Sequence, residues 1–152
     1  MFVNSNNLNI SGSRWRRLLV IDGNGLTENP FSIFIDSSGR LGYILGDGTT
    51  NFDTQVPLPN SPILSTNNWY NIVMSFDGSS KRVYVNGVLY STINNSSMFT
   101  NTLNKNMIIG YFGDTSAGYF SGKISSTRIY NRALTTTEIT QNFNSTKSRF
   151  GL

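Results

Sequence analysis

The sequence contains neither cysteine nor histidine. Without cysteine, no disulfide can stabilise the fold, and the redox compartment of the protein cannot be inferred. Without either residue, the sequence lacks the usual nucleophile–base pairs of hydrolases and the common ligands of transition metals. These two absences exclude several classes of enzyme and of metalloprotein.

Acidic residues are also scarce, with 8 Asp and Glu in 152 residues. Retaining glycosidases need two carboxylates about 5 Å apart. The only two glutamates are Glu28, in a predicted turn, and Glu138, at the predicted start of a helix. Because neither has a suitable acidic partner, we predict that the protein is not an enzyme.

Long apolar runs are absent as well. The longest aliphatic run is LLVI at 18–21, far below the roughly 20 residues that span a bilayer. The N-terminus MFVNSNNLNI has neither a basic start nor an apolar stretch, so we expect no signal peptide, no transmembrane segment and no membrane insertion. The net charge of +4 is modest, and we do not expect nucleic acid as a partner.

Small uncharged polar residues are abundant, with 20 Asn, 20 Ser and 15 Thr. These residues favour turns and strand faces over helix interiors. The length and the hydrophobic fraction of 38% suit one domain spanning residues 1–152. Short apolar clusters separated by turn residues indicate an all-β protein, an antiparallel β-sandwich.

Eight strands are predicted from these clusters, and the clearest turn between them is Asn86-Gly87. An Asn-Gly pair between two β-prone runs fits a type I′ turn, because both central residues need a positive φ. The predicted strands are RLLVID (17–22), FSIFID (31–36), RLGYIL (40–45), WYNIVMSF (69–76), KRVYV (81–85), VLYS (88–91), NMIIGY (106–111) and GKISSTRIY (122–130).

One short C-terminal helix is predicted over TTTEITQNF, residues 135–143. Thr135 can cap its start and Glu138 stands three residues later, as in a capping box. The resulting picture is a β-sandwich closed by one short helix.

The second half of the chain has an ordered series of motifs: NNWYNIVMSFDGSSKRVYVNGVLY, then IIGYF, then GYFSGKISSTRIYNRALTTTEITQNF. This series resembles a laminin-G-like module of the concanavalin A-like lectin/glucanase superfamily. The resemblance implies a jelly-roll sandwich in a superfamily that contains both lectins and glycoside hydrolases. Laminarinase-like members carry Glu-x-Asp-x-x-Glu on one strand, and this sequence has no such motif.

The C-terminus, ITQNFNSTKSRFGL, is similar to the ends of laminin-G-like modules on structural proteins of marine tailed phages. This resemblance implies a protein on the virion surface. We therefore expect a non-enzymatic module that binds host-surface glycans. The alternative is a capsid-decoration or tail-assembly protein without a sugar ligand, with other virion proteins or copies of itself as partners.

Aromatic residues around a glycine-rich loop are the candidate glycan site. Sugar rings stack on exposed aromatic planes beside polar groups. Tyr111, Phe112 and Tyr119 flank a loop that contains Asp114. The alternative is that Tyr119 and Phe120 close the edge of the core.

A basic cluster, RWRR, comprises Arg14, Trp15, Arg16 and Arg17. Such a cluster can serve sulfated or phosphorylated glycans, nucleic acid or an acidic neighbour in an assembly. The alternative is a solvated strand edge that is protected by its charge.

Calcium is a possible ligand, although no cofactor is expected to be required. Calcium takes oxygen ligands, and Asp47, Asn51 and Asp53 are spaced at short intervals, with Asp22 in another turn. The alternative is that these residues only cap main-chain amides in turns.

Residues 1–17 are short for the opening strands of a laminin-G-like module. A sandwich that lacks a strand exposes unpaired main-chain groups along one edge. We therefore predict that residues 1–17 form an assembly arm or an edge strand that contacts another subunit.

Overall fold

The computed structural model describes residues 1–8, 15–21, 31–46, 52–55, 58, 60–94, 106–111 and 119–152, with the main chain alone for 45, 46 and 52–55. In these residues the chain forms ten strands, one α-helix and one 3-10 helix. Their bounds are β1 Phe2–Ser5, β2 Trp15–Ile21, β3 Phe31–Asp36, β4 Leu41–Gly46, β5 Phe52–Gln55, β6 Trp69–Phe76, β7 Ser80–Val85, β8 Val88–Asn94, β9 Met107–Ile109, β10 Gly122–Ser125, α1 Thr136–Asn144 and the 3-10 helix Lys147–Phe150.

The strands form two five-stranded sheets. Sheet A has the order β10-β1-β6-β7-β8, and sheet B has the order β5-β4-β3-β2-β9. Every pair of neighbouring strands is antiparallel. The expected all-β sandwich with one short helix is thereby confirmed.

The core lies between the two sheets, where alternate residues of facing strands meet. β6 contributes Ile72 to it, and β7 contributes Val83 and Val85. Alternation places every second side chain of a strand on the same face, so these apolar residues form a continuous layer. The buried members of the layer are Val3, Leu18, Leu19, Ile33, Ile35, Leu41, Tyr43, Leu58, Leu64, Ile72, Val83 and Val85.

The C-terminal helices cover the other face of sheet A. The Phe2 ring stacks on Phe150 with centroids 4.0 Å apart, and Trp69 lies 4.8 Å from the same ring. The Tyr84 hydroxyl hydrogen-bonds to the Thr136 hydroxyl at 3.0 Å. The helices therefore cover sheet A at β1 and at the neighbouring parts of β6 and β7, where Trp69 packs against Phe150.

Helix α1 begins as the sequence predicts. Thr135 accepts a hydrogen bond from the Glu138 N–H, and the Glu138 carboxylate accepts one from the Thr135 N–H, which completes the capping box. The Asn86-Gly87 turn also has the predicted conformation, with φ of 51° and 77°. Both features depend on residues close in sequence.

Three strand predictions differ from the structure. β1 and β5 were not predicted, because their sequences, FVNS and FDTQ, are short and largely polar. The last strand ends at Ser125 instead of continuing to residue 130, because Ser126 has a φ of 53°. A left-handed residue turns the chain out of the extended conformation.

In the described part of residues 1–17 no strand has an open edge beside β1, and the predicted contact of this segment with another subunit stays a prediction. β1 pairs with β10 on one side and with β6 on the other, so its main chain is satisfied within its own sheet. Residues 15–17 belong to β2, which pairs with β3. Residues 9–14 lie outside the described part of the chain.

Candidate functional site

Two tyrosines lie side by side where β9 and the segment before β10 meet. The Gly110 N–H donates to the Leu18 carbonyl at 3.1 Å, and the Gly110 carbonyl accepts from the Phe120 N–H at 2.9 Å. These bonds join β2, the end of β9 and the approach to β10. As a result, the Tyr111 and Tyr119 rings stack with centroids 4.6 Å apart and an angle of 27° between their planes.

Tyr119 and Phe120 differ in the role that the structure gives them, a solvent-facing ring or a residue that closes the edge of the core. Tyr119 is 57% exposed, which is too much for a residue that closes the core. The next residue, Phe120, packs against the core cluster instead. Consecutive residues of an extended segment point in opposite directions, so Phe120 closes the edge while Tyr119 faces solvent.

Polar groups lie beside this tyrosine pair. The Ser121 carbonyl accepts hydrogen bonds from the Asn6 N–H at 2.9 Å and from the Ser5 hydroxyl at 3.3 Å. Asn6 and Asn7 are exposed. The sequence did not indicate these amides as site residues, because only the pairing of β1 with β10 brings the N-terminal segment to the tyrosines.

Phe112 and Asp114, the other members of the predicted glycan site, lie outside the described residues. Their part in the site stays a prediction. The same holds for Arg14, the first residue of the basic cluster.

Two arginines of the basic cluster, Arg16 and Arg17, are buried. Arg17 is 2% exposed, and its guanidinium lies 4.9 Å from the centroids of both the Trp15 and the Phe34 rings. It donates a hydrogen bond of 2.5 Å to the Ser32 hydroxyl. Burial lowers the pKa of Arg17 to about 10, which leaves it charged at neutral pH. The Trp15 and Phe34 rings also stack on each other, with centroids 4.9 Å apart, so the buried cation of Arg17 packs against an aromatic pair and stabilises the sheet.

Arg16 is also buried, with none of its surface exposed. It lies on the core face of sheet B, opposite Ile35, and donates to the Leu8 carbonyl at 2.8 Å. The expectation of a surface basic patch, and its alternative of a solvated edge, are both wrong for Arg16 and Arg17. The reason is that β2 is an interior strand, packed on both faces.

The candidate calcium ligands belong largely to segments outside the described residues. Asp22, Asp47 and Asn51 lie outside the described residues, and of Asp53 only the main chain is described, in β5 opposite Leu45. Within the described ranges, no group of three His, Cys, Asp or Glu side chains could hold a metal. Calcium therefore stays a prediction.

Glu138 has a structural role. It forms a bidentate ion pair with Arg132, with N–O distances of 2.6 and 3.0 Å, while it caps α1. The ion-pairing hydrogen bonds of Arg132, followed by those of Thr135, lower the pKa of Glu138 to about 2. A carboxylate held in this way is a poor general acid at neutral pH. Glu28 lies outside the described residues.

No helix in the described part of the chain combines the length and the apolar character that crossing a membrane requires.

Solved structures of similar fold include carbohydrate-binding domains. The CBM40 module of Ruminococcus gnavus IT-sialidase bound to α2,3 sialyllactose has a TM-score of 0.69 at 17% identity, and the match covers 93% of this chain and 79% of that one. The native heptameric SAP-like pentraxin from Limulus polyphemus has a TM-score of 0.66 at 18% identity, covering 91% and 65%.

A third similar structure is of botulinum neurotoxin type C, whose cell entry depends on interaction with two ganglioside molecules. It matches with a TM-score of 0.58 at 16% identity, covering 95% of this chain and 34% of the toxin chain. At such identities the likeness concerns the fold. No curated protein matches the sequence.

Sequence comparison gives the family directly. The laminin-G family described as the concanavalin A-like lectin/glucanases superfamily matches residues 3–140, which include nine of the ten strands in full and most of the first. Three observations indicate the same superfamily: the motif series of the second half, the two antiparallel sheets and this match. The chain belongs to the concanavalin A-like lectin/glucanase superfamily.

Proposed function

We propose that the protein is a non-enzymatic glycan-binding module and that Tyr111 and Tyr119 form its sugar-stacking surface. The observation that carries this proposal is the stacked pair itself, in which Tyr119 is 57% exposed. An exposed aromatic ring fixed by a neighbour loses little conformational freedom when a sugar stacks on it.

The polar surroundings favour a sugar over a purely apolar ligand. Amides can both donate and accept hydrogen bonds, as sugar hydroxyls do. The exposed Asn6 and Asn7 lie next to the segment that carries Tyr119. Phe112 and Asp114 belong to the same proposed site by their positions in the loop between the two tyrosines.

The structural neighbours support this class of ligand. The Ruminococcus gnavus module was solved with sialyllactose, and the toxin depends on gangliosides. Those ligands belong to those proteins, and the sugar bound here is to be identified by experiment. The proposal for this chain is a glycan on a cell surface.

A glycan array tests the proposal, followed by calorimetry on the best ligand. Tyr119→Ala and Tyr111→Ala should each weaken binding at least tenfold, because each removes one ring of the surface. Tyr130→Ala is the matched control, since Tyr130 is 45% exposed but lies outside the pair. Equal losses in all three variants, or no binding to any glycan, would contradict the proposal.

The same array tests the remaining predicted residues. Phe112→Ala and Asp114→Ala should weaken binding if the loop contributes to the site. Repeating the array in EDTA tests calcium binding by Asp22, Asp47 and Asp53. Binding that disappears in EDTA and returns with calcium would assign the metal a role.

We further propose that the module is displayed on a virion, which rests on the resemblance of its C-terminus to phage structural proteins. Mass spectrometry of purified particles tests this location. The alternative, a capsid-decoration or tail-assembly protein, is favoured if the protein binds no glycan and is present at fixed stoichiometry. Absence from purified particles would contradict both forms of the proposal.

A further inference from the structure

Lys123 lies on the outer face of sheet A, the face that the C-terminal helices partly cover. The register of β1 with β10 places Phe2 opposite Ser125 and Asn4 opposite Lys123. Alternate residues of a strand point to the same face. Phe2 stacks on Phe150 of the 3-10 helix, so Asn4 and Lys123 also point to that side of the sheet. Lys123 is exposed to solvent there.

Tyr119 points to the same side of the sheet as Lys123. Phe120 and Ile124 pack against the core cluster. Tyr119, Ser121 and Lys123 alternate with them along the chain and therefore point away from the core. Four residues of extended chain separate the Cα atoms of Tyr119 and Lys123 by roughly 13 Å. Because lysine has a long and flexible side chain, the Lys123 ammonium can reach a ligand that stacks on Tyr119.

No carboxylate neutralises Lys123 in the part of the chain that the structure describes. The ion pairs there join Arg82 to Asp77 and Arg132 to Glu138, and Lys123 belongs to neither. The Lys123 ammonium is therefore available to an anionic ligand.

The chain around Lys123 is also the basic part of the protein. Residues 119–152 contain five Lys and Arg side chains and one acidic side chain, Glu138, whereas residues 1–118 contain seven of each sign. The net charge of +4 thus comes entirely from the segment that carries Tyr119 and Lys123. A local excess of positive charge raises the potential over that surface and attracts anions.

Uncharged polar groups lie between the tyrosine pair and Lys123. Ser121 is midway between Tyr119 and Lys123, and its carbonyl accepts a hydrogen bond from the N–H of Asn6, an exposed residue. We call the surface formed by Tyr119, Ser121, Lys123 and Asn6 the outer strip. It offers an aromatic ring, then hydrogen-bonding groups, then a cation. A sugar with an anionic substituent has the complementary groups, an apolar ring face, hydroxyls and an anion.

The number of cations on the outer strip favours a glycan over nucleic acid. Lys123 is the only Lys or Arg within the described residues 1–8 and 119–125. Sites for single-stranded nucleic acid follow the phosphate backbone with several cations. A single cation at a fixed distance from an aromatic ring instead suits one anionic group on a sugar.

We propose that the outer strip binds acidic glycans, in which a sugar carries a carboxylate or a sulfate, and that Lys123 selects them. This inference rests on the glycan-binding function proposed above. One sugar stacks on the tyrosine pair, and an anionic group of the same glycan pairs with the Lys123 ammonium. The charge-assisted hydrogen bond gives the acidic glycan an advantage that its neutral analogue lacks.

An array of carboxylated and sulfated polysaccharides tests the preference, with each acidic glycan placed beside its carboxyl-reduced or desulfated form. Calorimetry then measures both members of the best pair. The acidic member should bind about tenfold more tightly than the neutral member, and the difference should shrink as salt is added. The type of the best pair distinguishes a carboxylate from a sulfate.

Variants of Lys123 test its role as the selecting residue. Lys123→Gln should reduce the affinity for the acidic member to that for the neutral member, without weakening the neutral member, because only the charge is lost. Lys123→Arg should keep the preference. Arg128→Gln is the charge-matched control, since Arg128 is exposed but lies near Met1, at the other end of β1. Tyr119→Ala should weaken both members.

The possible failures of this inference and of the proposed function give different results. Equal binding of both members, lost in Tyr119→Ala, would overturn the inference and leave the glycan-binding function intact. No binding of any glycan would overturn both. Binding of poly-glutamate as tight as that of the acidic glycan, or loss of the preference in Arg128→Gln, would also overturn the inference, because net charge and not Lys123 would then attract the anion.

Discussion

Replacing Gly87 with alanine should destabilise the fold through two separable effects. Gly87 has a φ of 77°, and a non-glycine residue in this left-handed region costs about 1–2 kcal/mol. In addition, a Cβ at this position would lie 2.9 Å from Cδ1 of Phe143, where carbon atoms prefer about 3.5–4.0 Å. Displacing a packed ring costs about 1–3 kcal/mol. The two effects give a total loss of about 2–5 kcal/mol.

Gly78 provides the matched control, because it also occupies a hairpin turn. Its φ is 96°, and a Cβ there would meet no heavy atom within 4 Å. Gly78→Ala should therefore show the backbone cost alone, about 1–2 kcal/mol. Urea unfolding of both variants measures the difference, which we assign to the contact with Phe143.

A double-mutant cycle with Phe143→Ala completes the test. Gly87→Ala should cost less in the Phe143→Ala background, because the ring that it displaces is gone. Equal costs for Gly87→Ala and Gly78→Ala would refute the packing argument. Retained stability of Gly87→Ala with loss of glycan binding would refute the structural role of the hairpin.

Four further predictions concern the helix cap, the pH dependence of stability, the contact between two strands and metal removal. Thr135→Ala should lose about 0.5–2 kcal/mol in urea unfolding, because the helix loses its N-cap. Glu138 has a folded pKa of about 2, below its unfolded value, so its stabilising effect should be present above about pH 4.5 and disappear toward pH 2. Glu138→Gln should flatten the acid side of the stability profile, with a residual slope from Asp77, whose pKa Arg82 also lowers; an unchanged profile would contradict this. Gly122→Ala should prevent pairing of β1 with β10, because a Cβ there would overlap the Asn4 carbonyl oxygen. Thermal unfolding followed by circular dichroism should therefore show a large decrease in melting temperature. EDTA should lower the melting temperature only slightly. A large drop that calcium reverses would contradict this and would show that a bound metal stabilises the fold.

The candidate site was predictable in part. The position of Tyr111 and Tyr119 around a glycine-rich loop predicts them as site residues, because exposed aromatic residues next to turns are typical of binding surfaces. Their stacking was not predictable, since it depends on the hydrogen bonds of Gly110 to two other segments. The position of Asn6 near this segment depends on a different tertiary contact, the pairing of β1 with β10.

The sequence by itself determined the features that arise from neighbouring residues. The Asn86-Gly87 turn, the capping box of Thr135 and Glu138, and the alternation in β6 all depend on residues within a few positions of one another. Local conformational preference and side-chain spacing suffice for such elements, because the interacting groups are adjacent whatever the rest of the chain does.

The tertiary structure alone decided where short or unusual segments belong. β1 is four residues long and becomes a strand only because β10 and β6 pair with it on both sides. The sequence pattern suggests an exposed charge at Arg17, yet Arg17 is buried, and its guanidinium packs against the stacked rings of Trp15 and Phe34. These outcomes depend on contacts between residues far apart in sequence. The free energy of such contacts cannot be inferred from a local sequence pattern.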